Sequence, residues 1–452
     1  MIPVVTPAEM AAIDAAAPEP VEVLIERAGA AVARAATRMM GGTYGRRVVV
    51  LAGKGNNGND GRAAARRLAR AGAAVRVVDV ADAPARLPAA DLVIDAAFGT
   101  GFHGSWTAPD AGDAAVLAVD IPSGVDGATG AAGDGVLPAD RTVTFAALKP
   151  GLLLPPGSVA TGEIELADIG LDVSRARAHL VTEDDARQWL LPRAVDSHKW
   201  HAAVAMVAGS PGMTGAARLA TAAAMRAGAG YVRLSSPGAA PDPGLPTEVV
   251  CRSLPLVSWS EVVLKDLDRF QALVVGPGLG RADATTAGVR ELVAAASVPV
   301  VVDGDGLFAL AWSPDGAVAV LKARHAATVL TPHDGEFGLL AGRRPGADRL
   351  AAARALSATT GAVVLLKGPA TVVAEPRGRV LISTAGDERL ATAGTGDVLS
   401  GIIGALLAQQ VPAFEAAAIG AWLHGSAGRR GPERGLVASD LPGLIPGVLE
   451  RL

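Results

Sequence analysis

The chain has 452 residues, of which 50% are hydrophobic and 19% are charged, and its formal net charge is −4. This composition excludes a mainly disordered chain, which would be poor in aliphatic residues and rich in charge. It also argues against a general nucleic-acid-binding protein, which would carry a basic face. The length predicts two or three domains.

A single cysteine, Cys251, excludes a disulfide framework and a thiolate metal cluster. The first residues, MIPVVTPAEM, lack the basic and apolar segments of a signal peptide. Apolar runs such as 292–302 end well before the ~20 residues that a membrane-spanning helix needs. We therefore expect a cytoplasmic protein without membrane or nucleic-acid partners, and we expect it to form a homo-oligomer.

The first part of the chain alternates Val-rich runs with Ala-rich helical stretches. Predicted helices cover 6–39, with a break near Pro18 and Pro20, and 61–71. Predicted strands cover 48–52, 75–80, 92–95, 116–120 and 142–145. Because these runs are not polar at alternate positions, we expect strands that are buried on both faces, in a parallel sheet covered by helices.

A glycine-rich loop, KGNNGNDG over 54–61, follows the first of these strands and opens a helix. Its glycines are expected to allow positive φ and to leave backbone N–H groups pointing at a common centre. With the N-terminus of the next helix, this pattern predicts a site for an anion or a phosphate. An ordinary βα turn is the alternative, although three amide or carboxylate side chains exceed what a turn needs.

Two aspartates end later strands of the same series. Asp95 precedes the loop GTG at 99–101, and Asp120 precedes the turn IPSGVDG. The carboxyl ends of parallel strands form the edge at which open α/β sheets bind ligands. Oxygen atoms of Asn57, Asp95 and Ser123 suit a hard cation, whereas the lack of recurring His or Cys argues against zinc or copper.

The second part of the chain repeats the alternation of strands and helices. Predicted strands cover 204–208, 231–234, 273–275, 300–303, 328–330, 363–366 and 371–373. Predicted helices cover 215–229, 285–296, 348–359, 396–408 and 414–425. The two series predict two α/β domains with mostly parallel sheets, separated within 183–197, where charge and a proline collect.

The motif GTGD at 394–397 leads into an apolar helix in the second series. An aspartate in such an anion-binding turn indicates a base for an attacking hydroxyl or a Mg²⁺ ligand, and a simple helix N-cap is the alternative. Lys367 and Thr371 are spaced to suit a nucleotide diphosphate, whereas the glycines of 276–281 are a weak phosphate-loop signal. His333 follows Pro332 at a strand end, which favours an exposed substrate contact over a core histidine.

The loops KGNNGNDG, IDAAFGTG and VDIPSGVDGATG resemble the NAD(P)H-hydrate epimerase domain, over about residues 5–175. The resemblance implies a Rossmann-like α/β/α sandwich over 1–190 and a K⁺ ion held by Asn57, Asp95 and Ser123. It implies substrate binding by Asn56, Asn57, Gly58, Asn59, Asp60, Gly99, Thr100, Gly101, Phe102, His103, Gly104, Ser105 and Asp120. Two departures from the family pattern are Asn59, which takes a glycine position, and a short 101–120 segment.

Asp120 is the expected catalytic proton acceptor of this domain. It ends a predicted buried strand beside glycine-rich loops that contain no Cys and no His other than His103. The alternative is that Asp120 only caps the IPSG turn.

The strings GPGLGR, DGDGL, TPHDGEF, LLKGPATVV and AGTGDVLSGII resemble a ribokinase-like domain, and more narrowly the ADP-dependent NAD(P)H-hydrate dehydratase, over 196–452. The resemblance implies ADP, bound with Mg²⁺, at Lys367, Gly368, Pro369, Ala370, Thr371 and Gly396. It implies contact with the hydrated cofactor at Ala217, Gly278, His333 and Asp397, with Asp397 as the catalytic base. Among the departures, Asp334 stands where proline is usual.

Together the two resemblances imply a bifunctional repair enzyme for hydrated NADH and NADPH. One domain would interconvert the R and S epimers of NADHX and NADPHX, and the other would use ADP to dehydrate the S epimer, releasing AMP and phosphate. One alternative is a ribokinase-type small-molecule kinase with an appended nucleotide-binding module. The other is a dehydratase whose N-terminal domain binds without catalysing, which Asn59 and the short 101–120 segment favour.

Overall fold

The computed structural model describes residues 1–102, 104–190, 192–313, 316–322 and 324–452. The chain divides into two compact units, Ile2–Ala178 and His179–Leu452, the second including Met1. Both units contain α-helices and β-strands, which confirms the predicted α/β class with two domains. Residues 179–190, which the sequence assigned to the first domain, belong to the second unit, and the predicted boundary at 183–197 begins with a helix.

The N-terminal unit is built on a parallel sheet of six strands in the order β3-β2-β4-β5-β6-β7. Its elements are β1 Ile2–Val4, α1 Pro7–Ala15, α2 Val21–Met40, β2 Arg47–Ala52, α3 Asn56–Arg70, β3 Ala74–Asp79, β4 Leu92–Ala96, β5 Ala115–Val119, β6 Arg141–Phe145, α4 Pro150–Leu153 and β7 Glu163–Ala167. The strand order reverses between β2 and β4. A crevice at such a reversal is the usual ligand site of an open α/β sheet.

Alternate residues of β2 explain the layering of this unit. Val48 and Val50 join a core cluster with α1, α2 and α3, whereas Val49 and Leu51 join a cluster on the other face. Side chains from the connecting segments, including Trp106, cover that second face. The short connection between β4 and β5 contains no helix in its described residues, as its length predicted.

Helix α1 and helix α2 are separated where the sequence predicted a break. Thr6 and Glu9 form a capping box at the start of α1, and Pro20 directly precedes α2. Strand β3 differs from the prediction, because it lies at one end of the sheet and Val77 is 43% exposed. It is therefore an edge strand rather than one buried on both faces.

The C-terminal unit contains the strand order β17-β16-β15-β14-β13-β12-β9-β10-β11. Its elements are β8 Ala178–Leu180, α5 Glu183–Trp189, β9 Ala203–Val207, α6 Thr214–Arg226, β10 Tyr231–Pro237, β11 Val250–Leu254, α7 Trp259–Leu264, β12 Ala272–Val275, α8 Asp283–Ala295, β13 Val300–Val302, α9 Asp305–Ala311, α10 Gly316–Lys322, β14 Thr328–Leu330, α11 Asp334–Ala341, α12 Arg349–Thr360, β15 Val363–Leu366, β16 Thr371–Ala374, β17 Val380–Ser383, α13 Thr395–Ala408, α14 Ala413–Arg430 and α15 Leu441–Leu449. The strands are parallel from β15 to β11, and β16 and β17 pair antiparallel.

Small residues let the helices of this unit pack closely. A Cβ on Gly401 of α13 would lie 2.1 Å from the carbonyl oxygen of Ala220 on α6. The surrounding core is Ala, Val, Leu and Ile, as the aromatic content of 3% predicted. Within the described residues, no helix is both long enough and apolar enough to cross a membrane.

The close approach of β2 and α3 in the N-terminal unit yields a stability prediction. A Cβ on Gly58 would lie 2.0 Å from the Gly53 carbonyl oxygen, and backbone cannot rotate away as a side chain would. We expect Gly58→Ala to lower the free energy of unfolding of this unit by about 2–3 kcal/mol, measured by urea denaturation. Gly133→Ala is the control, because Gly133 has open space and no positive φ. Equal stabilities of the two variants would contradict the crowding.

Candidate active sites in the two units

A cavity of about 1060 Å³ opens at the carboxyl edge of β2, β4 and β5 in the N-terminal unit. Of the predicted site residues, it is lined by Asn56, Asn57, Asp60, Gly99, Thr100, Gly101, Phe102 and Asp120. Gly58, Asn59, Gly104 and Ser105 are not among its described lining residues, and His103 lies outside the described part of the chain. The cavity also contains Asp14 and Lys149, which the sequence analysis did not single out.

Asp120 is held by a buried lysine. Its Oδ1 accepts hydrogen bonds from Lys149 Nζ at 2.6 Å and from Thr144 Oγ1 at 3.0 Å. Lys149 is only 1% exposed and also donates to the Phe145 carbonyl oxygen at 3.1 Å. Asp120 has φ of 66°, which turns the chain sharply at the end of β5. The ion pair gives this carboxylate a fixed position in the cavity.

A second carboxyl group of the cavity has a strongly shifted pKa. Burial raises the pKa of Asp60 to about 8, and repulsion from Asp120 and Asp14 acts in the same direction. Burial also raises the pKa of Asp14, although Lys149 opposes the shift. Asp60 therefore keeps its proton near neutral pH, and the cavity presents a protonated carboxyl group near the Asp120–Lys149 pair.

The glycine-rich loop adopts a different conformation from the predicted one. Helix α3 begins at Asn56, and none of the loop glycines at 53, 55, 58 or 61 has a positive φ. Their role is close approach instead, because a Cβ on Gly53 would lie 1.9 Å from the Ala97 carbonyl oxygen. The Asn59 N–H donates to the Gly55 carbonyl oxygen at 3.1 Å as part of the helix, so an asparagine fits there without a left-handed conformation.

The three predicted cation ligands lie around the loop that follows β4. Asp95 is 2% exposed and accepts hydrogen bonds from Ser123 Oγ at 2.6 Å and from the Ser123 N–H at 2.9 Å. Ser123 Oγ also lies 3.2 Å from the Phe98 carbonyl oxygen. Among the described residues, the Asn57 side-chain oxygen and nitrogen are buried without a hydrogen-bond partner. A Cβ built on Gly99 of the same loop would lie 3.5 Å from the Asn57 Oδ1 atom, so Asn57 packs against the loop that Asp95 and Ser123 hold. A buried amide oxygen that lacks a donor fits an oxygen-bound cation.

In the C-terminal unit, a lysine–aspartate pair joins three segments. Lys367, which follows β15, places Nζ 2.8 Å from Oδ1 of Asp303, which follows β13. The other oxygen of Asp303 accepts from Ser400 Oγ on α13 at 2.6 Å. Asp303 is buried, yet its pKa is lowered, because the charge and hydrogen bonds of Lys367 and Ser400 outweigh the burial.

Asp397 lies in the first turn of α13 beside this pair. Burial raises its pKa to about 7, repulsion from Asp303 adds to the shift, and Lys367 opposes it. Gly396 comes close to the same cluster, since a Cβ there would lie 3.3 Å from Lys367 Nζ. The turn before α13 begins at Gly394 with φ of 92°. Asp397 is not a simple N-cap, because the N-cap position belongs to Gly394.

His333 is the N-cap of α11 and is exposed, which agrees with a surface position rather than a core one. Its Nδ1 accepts from the N–H groups of Gly335 at 3.0 Å and Glu336 at 3.2 Å. Glu336 accepts from the His333 N–H at 2.9 Å and lies 3.7 Å from Lys367 Nζ. This cap connects His333 to the Lys367 cluster and leaves Nε2 3.6 Å from Glu336 Oε1.

Asp334 and Arg349 link the same cap to the loop at 367–371. Arg349 Nη2 lies 2.9 Å from Asp334 Oδ1 and donates to the Lys367 carbonyl oxygen at 2.7 Å. Gly368 and Pro369 are exposed, Ala370 is buried, and Thr371 begins β16. The sequence named this loop but missed Arg349, whose distant position in the chain gave no signal.

Ala217 and Gly278 lie at one turn of the C-terminal unit. A Cβ on Gly209 would lie 3.1 Å from the Ala217 Cβ, and the Gly278 carbonyl oxygen accepts from Ser210 Oγ at 2.9 Å. The Gly280 N–H donates to Asp305 at 2.8 Å, which connects this turn to the first turn of α9. Asp305 in turn acts on the GTGD turn through its charge, which raises the pKa of Asp397.

Two family models match the chain. The model described as NAD(P)H-hydrate dehydratase matches residues 204–447, and the model described as YjeF-related protein N-terminus matches 21–87 and 79–151. A bifunctional NAD(P)H-hydrate repair enzyme from Moorella thermoacetica is 37% identical over 99% of this chain and 97% of its own length. One from Mycobacterium tuberculosis is 40% identical over 86% of this chain and 84% of its own.

Solved structures match the C-terminal unit. The ADP/ATP-dependent NAD(P)H-hydrate dehydratase from Bacillus subtilis, co-crystallised with ATP and Mg²⁺, is 27% identical. The match covers 60% of this chain and 97% of that one, with a TM-score of 0.51. A ribokinase-like superfamily protein from Enterococcus faecalis is 21% identical over 61% of this chain and 96% of its own, with a TM-score of 0.53. The predicted ribokinase-like fold is confirmed.

The raised pKa of Asp60 predicts a pH dependence of stability. The pKa is about 8 in the folded chain against an ordinary 3.8, so the folded state binds the proton more tightly than the unfolded state. Stability from this group is present below about pH 4 and is lost as the pH rises to about 8. We expect the stability of Asp60→Asn, relative to the unsubstituted chain, to increase between pH 5 and pH 8.5 in urea denaturation.

The exposed Asp134 supplies the control for this measurement. Asp134→Asn should show the same stability difference from the unsubstituted chain at both pH values. A pH-independent difference for Asp60→Asn would mean that Asp60 is ionised in the folded chain at neutral pH.

Proposed function

The chain belongs to the family of bifunctional NAD(P)H-hydrate repair enzymes, and we propose that each of its units performs one of the two repair reactions. The N-terminal unit interconverts the R and S epimers of hydrated NADH and NADPH. The C-terminal unit uses ADP to dehydrate the S epimer, which regenerates NAD(P)H and releases AMP and phosphate. The observation that carries the dehydratase assignment is Asp397, a carboxyl group with a pKa of about 7 in the GTGD turn beside Lys367.

Asp397 serves as the base of the dehydratase reaction. A pKa near neutral pH suits a group that has to accept a proton in one step and release it later. Asp397 takes the proton of the added hydroxyl, whose oxygen attacks the β-phosphorus of ADP, and AMP leaves. The carbon–oxygen bond of the phosphate ester then breaks as the ring nitrogen donates its electron pair, and phosphate departs. The resulting iminium ion loses a proton from the neighbouring ring carbon, which restores the double bond of NAD(P)H.

The ADP site consists of Lys367, Gly368, Pro369, Ala370, Thr371 and Gly396. The Lys367 ammonium is already compensated by Asp303 at 2.8 Å, so it meets the phosphates as part of a charge cluster rather than as a free cation. Among the described residues, no group of three or more His, Cys, Asp or Glu side chains is placed to hold a metal. Mg²⁺ prefers phosphate oxygens together with one or two carboxylates, so it would enter with the nucleotide and offset the charge on the phosphates.

Asp120 and Asp60 divide the proton transfers of the epimerase reaction. Epimerisation inverts the carbon that carries the added hydroxyl, so one bond at that carbon has to break and re-form. The carboxylate of Asp120, fixed by Lys149, accepts the hydroxyl proton while the bond from this carbon to the ring nitrogen breaks, leaving an aldehyde, and Asp60, whose pKa is about 8, donates a proton to the released nitrogen. Closure of the ring on the other face of the aldehyde reverses both proton transfers and gives the other epimer. Two carboxyl groups with different environments in one cavity are a common arrangement for acid and base catalysis.

A K⁺ ion would be held by Asn57, Asp95 and Ser123, with the Phe98 carbonyl oxygen as a further ligand. The unpaired amide atoms of Asn57 support this assignment. When bound, the ion would supply positive charge beside the anionic substrate. The same residues order the loop after β4, through the hydrogen bonds of Ser123 to Asp95 and to the Phe98 backbone.

A kinase with an appended module is less well supported, because the matched model is that of the dehydratase and a second model matches the N-terminal unit. A non-catalytic N-terminal unit is also less well supported, since Asn59 fits its helix and Asp60 and Asp120 share one cavity. The proposal includes a cytoplasmic location and a homo-oligomer, and light scattering of the purified chain tests the oligomer.

Replacing the dehydratase base tests the C-terminal assignment. We expect Asp397→Asn to lower the dehydration rate by ~10²–10⁴-fold, because the amide cannot accept a proton, while ADP affinity stays nearly unchanged. In the unsubstituted chain the rate should rise with pH through about 7 and then level off, since the base is active when ionised. The return of NADH absorbance measures the dehydration rate of the variant and the pH profile of the unsubstituted chain.

Asp283 provides the matched control, since it is an exposed aspartate in the first turn of another helix, α8. Asp283→Asn should retain the full rate and the same pH profile. Full activity of Asp397→Asn would overturn the assignment of the base.

The epimerase assignment is tested at Asp120. We expect Asp120→Asn to stop the R–S interconversion while the dehydration rate on pure S hydrate stays unchanged. Asparagine is preferred to alanine because it tolerates the φ of 66° at this position. It leaves the charge of the buried Lys149 uncompensated, so the melting temperature should fall, and both rates are measured at a temperature at which the variant is fully folded. The epimers are separated by chromatography in the absence of ADP. Normal interconversion by a normally folded variant would show that Asp120 serves only the turn.

A further inference from the structure

The N-terminal cavity has a second acidic end, away from the Asp120–Lys149 pair. Asp79 is the last residue of β3, and Asp82 lies in the short helical turn that follows it. Both residues line the cavity, together with Val80 and Ala81 between them. The motifs of the sequence analysis did not include this segment, and the reactions proposed above do not use it.

An arginine of α3 fixes the position of Asp79. Arg62 Nη2 donates to Asp79 Oδ1, and Arg62 Nη1 donates to the Gly53 carbonyl oxygen at 2.7 Å. The guanidinium group is therefore engaged by the carboxylate and by the loop before α3. Both partners belong to the same β2–α3–β3 unit, so Asp79 is held at a defined place beside the glycine-rich loop.

Asp79 occupies the position of the acidic residue in βαβ units that bind dinucleotides. In βαβ units that bind dinucleotides, an acidic residue about 20 residues after the glycine-rich loop accepts a hydrogen bond from the ribose 2′-hydroxyl. Asp79 ends the second strand of such a unit and stands about that far from Gly58. A 2′-phosphate at the same place would meet a carboxylate instead of an arginine.

The charge of the cavity also favours a ribose 2′-hydroxyl over a 2′-phosphate. Among its described lining residues, six are acidic and two, Lys54 and Lys149, are basic. Lys149 is committed to Asp120, and no arginine lines the cavity in the described part of the chain. A phosphate dianion placed near Asp79 and Asp82 would face repulsion from two carboxylates, and Arg62, the cation in contact with Asp79, is already paired with it.

We propose that Asp79, held by Arg62, makes the N-terminal unit select hydrated NADH over hydrated NADPH by accepting a hydrogen bond from the adenosine ribose 2′-hydroxyl. Asp82 adds repulsion against a 2′-phosphate. The selectivity rests on the proposed function of this unit, which handles a hydrated dinucleotide in the same cavity.

The test compares the epimerisation of the two hydrates by the full chain. Without ADP, R–S interconversion of NADHX and of NADPHX is followed separately by chromatography. We expect kcat/KM to favour NADHX by at least ~10-fold, because the 2′-phosphate brings two negative charges to an acidic site. Asp79→Asn should lower this preference by about tenfold, mainly through KM for NADPHX, since it removes a charge and releases Arg62.

Two further variants separate the specific effect from a general loss of charge or stability. Glu163→Gln alters another exposed acid–arginine pair, with Arg141, outside the cavity lining, and should leave the preference unchanged. In Asp79→Asn combined with Arg62→Gln, the gain for NADPHX should shrink if the released arginine binds the phosphate. An equal kcat/KM for both hydrates in the unsubstituted chain, or an unchanged preference in Asp79→Asn, overturns the proposal.

Calorimetry distinguishes failure of this proposal from failure of the proposed function. If neither hydrate is interconverted, the epimerase assignment fails, and the selectivity is then measured with NAD⁺ and NADP⁺. We expect Asp79→Asn to strengthen NADP⁺ binding about fivefold or more relative to the unsubstituted chain, with little change for NAD⁺. Identical affinities of both proteins for NADP⁺ would overturn the selectivity in that case as well.

Discussion

In each unit, a lysine–aspartate pair at the carboxyl edge of a parallel sheet organises the polar site. Lys149 Nζ lies 2.6 Å from Asp120, and Lys367 Nζ lies 2.8 Å from Asp303. Lys149 and Asp303 are almost completely buried, so removing either partner would leave an uncompensated charge at high cost. The elements that carry these side chains have to meet in the observed register for the pairs to form.

These pairs explain how a neighbouring carboxyl group acquires its raised pKa. Asp60 and Asp397 are both partly withdrawn from water and both lie near an aspartate that is already matched with a lysine. At Asp397, Lys367 offsets only part of the rise in pKa that burial and repulsion cause, whereas at Asp60 burial and repulsion from Asp120 and Asp14 act together. The result is a fixed ion pair beside a group that exchanges a proton near neutral pH, a combination suited to acid–base chemistry.

The sequence predicted the local parts of this arrangement better than the long-range ones. The Val-rich strands and the loops after them could be predicted because hydrophobic runs, and the Gly or Asp residues that end them, are local signals. The predicted strands 328–330 and 363–366, for example, coincide with β14 and β15. Lys149, Arg349 and Asp14 were missed because their roles depend on partners far along the chain. The glycines at 53–61 were assigned a φ-based role, whereas crowding between β2, α3 and the segment after β4 is visible only once these elements are packed.

Asp334 illustrates how a residue that departs from a family pattern acquires a local function. It follows His333 in the α11 cap and pairs with Arg349, whose Nη2 donates to the Lys367 carbonyl oxygen at 2.7 Å. A proline at this position would provide no acceptor for the arginine, so the loop at 367–371 would depend on other contacts. In this chain the arginine connects the segment assigned to the hydrate with the segment assigned to the nucleotide. The two loops that we propose as substrate sites of the dehydratase therefore share Arg349, which pairs with Asp334 in one and donates to the backbone of the other.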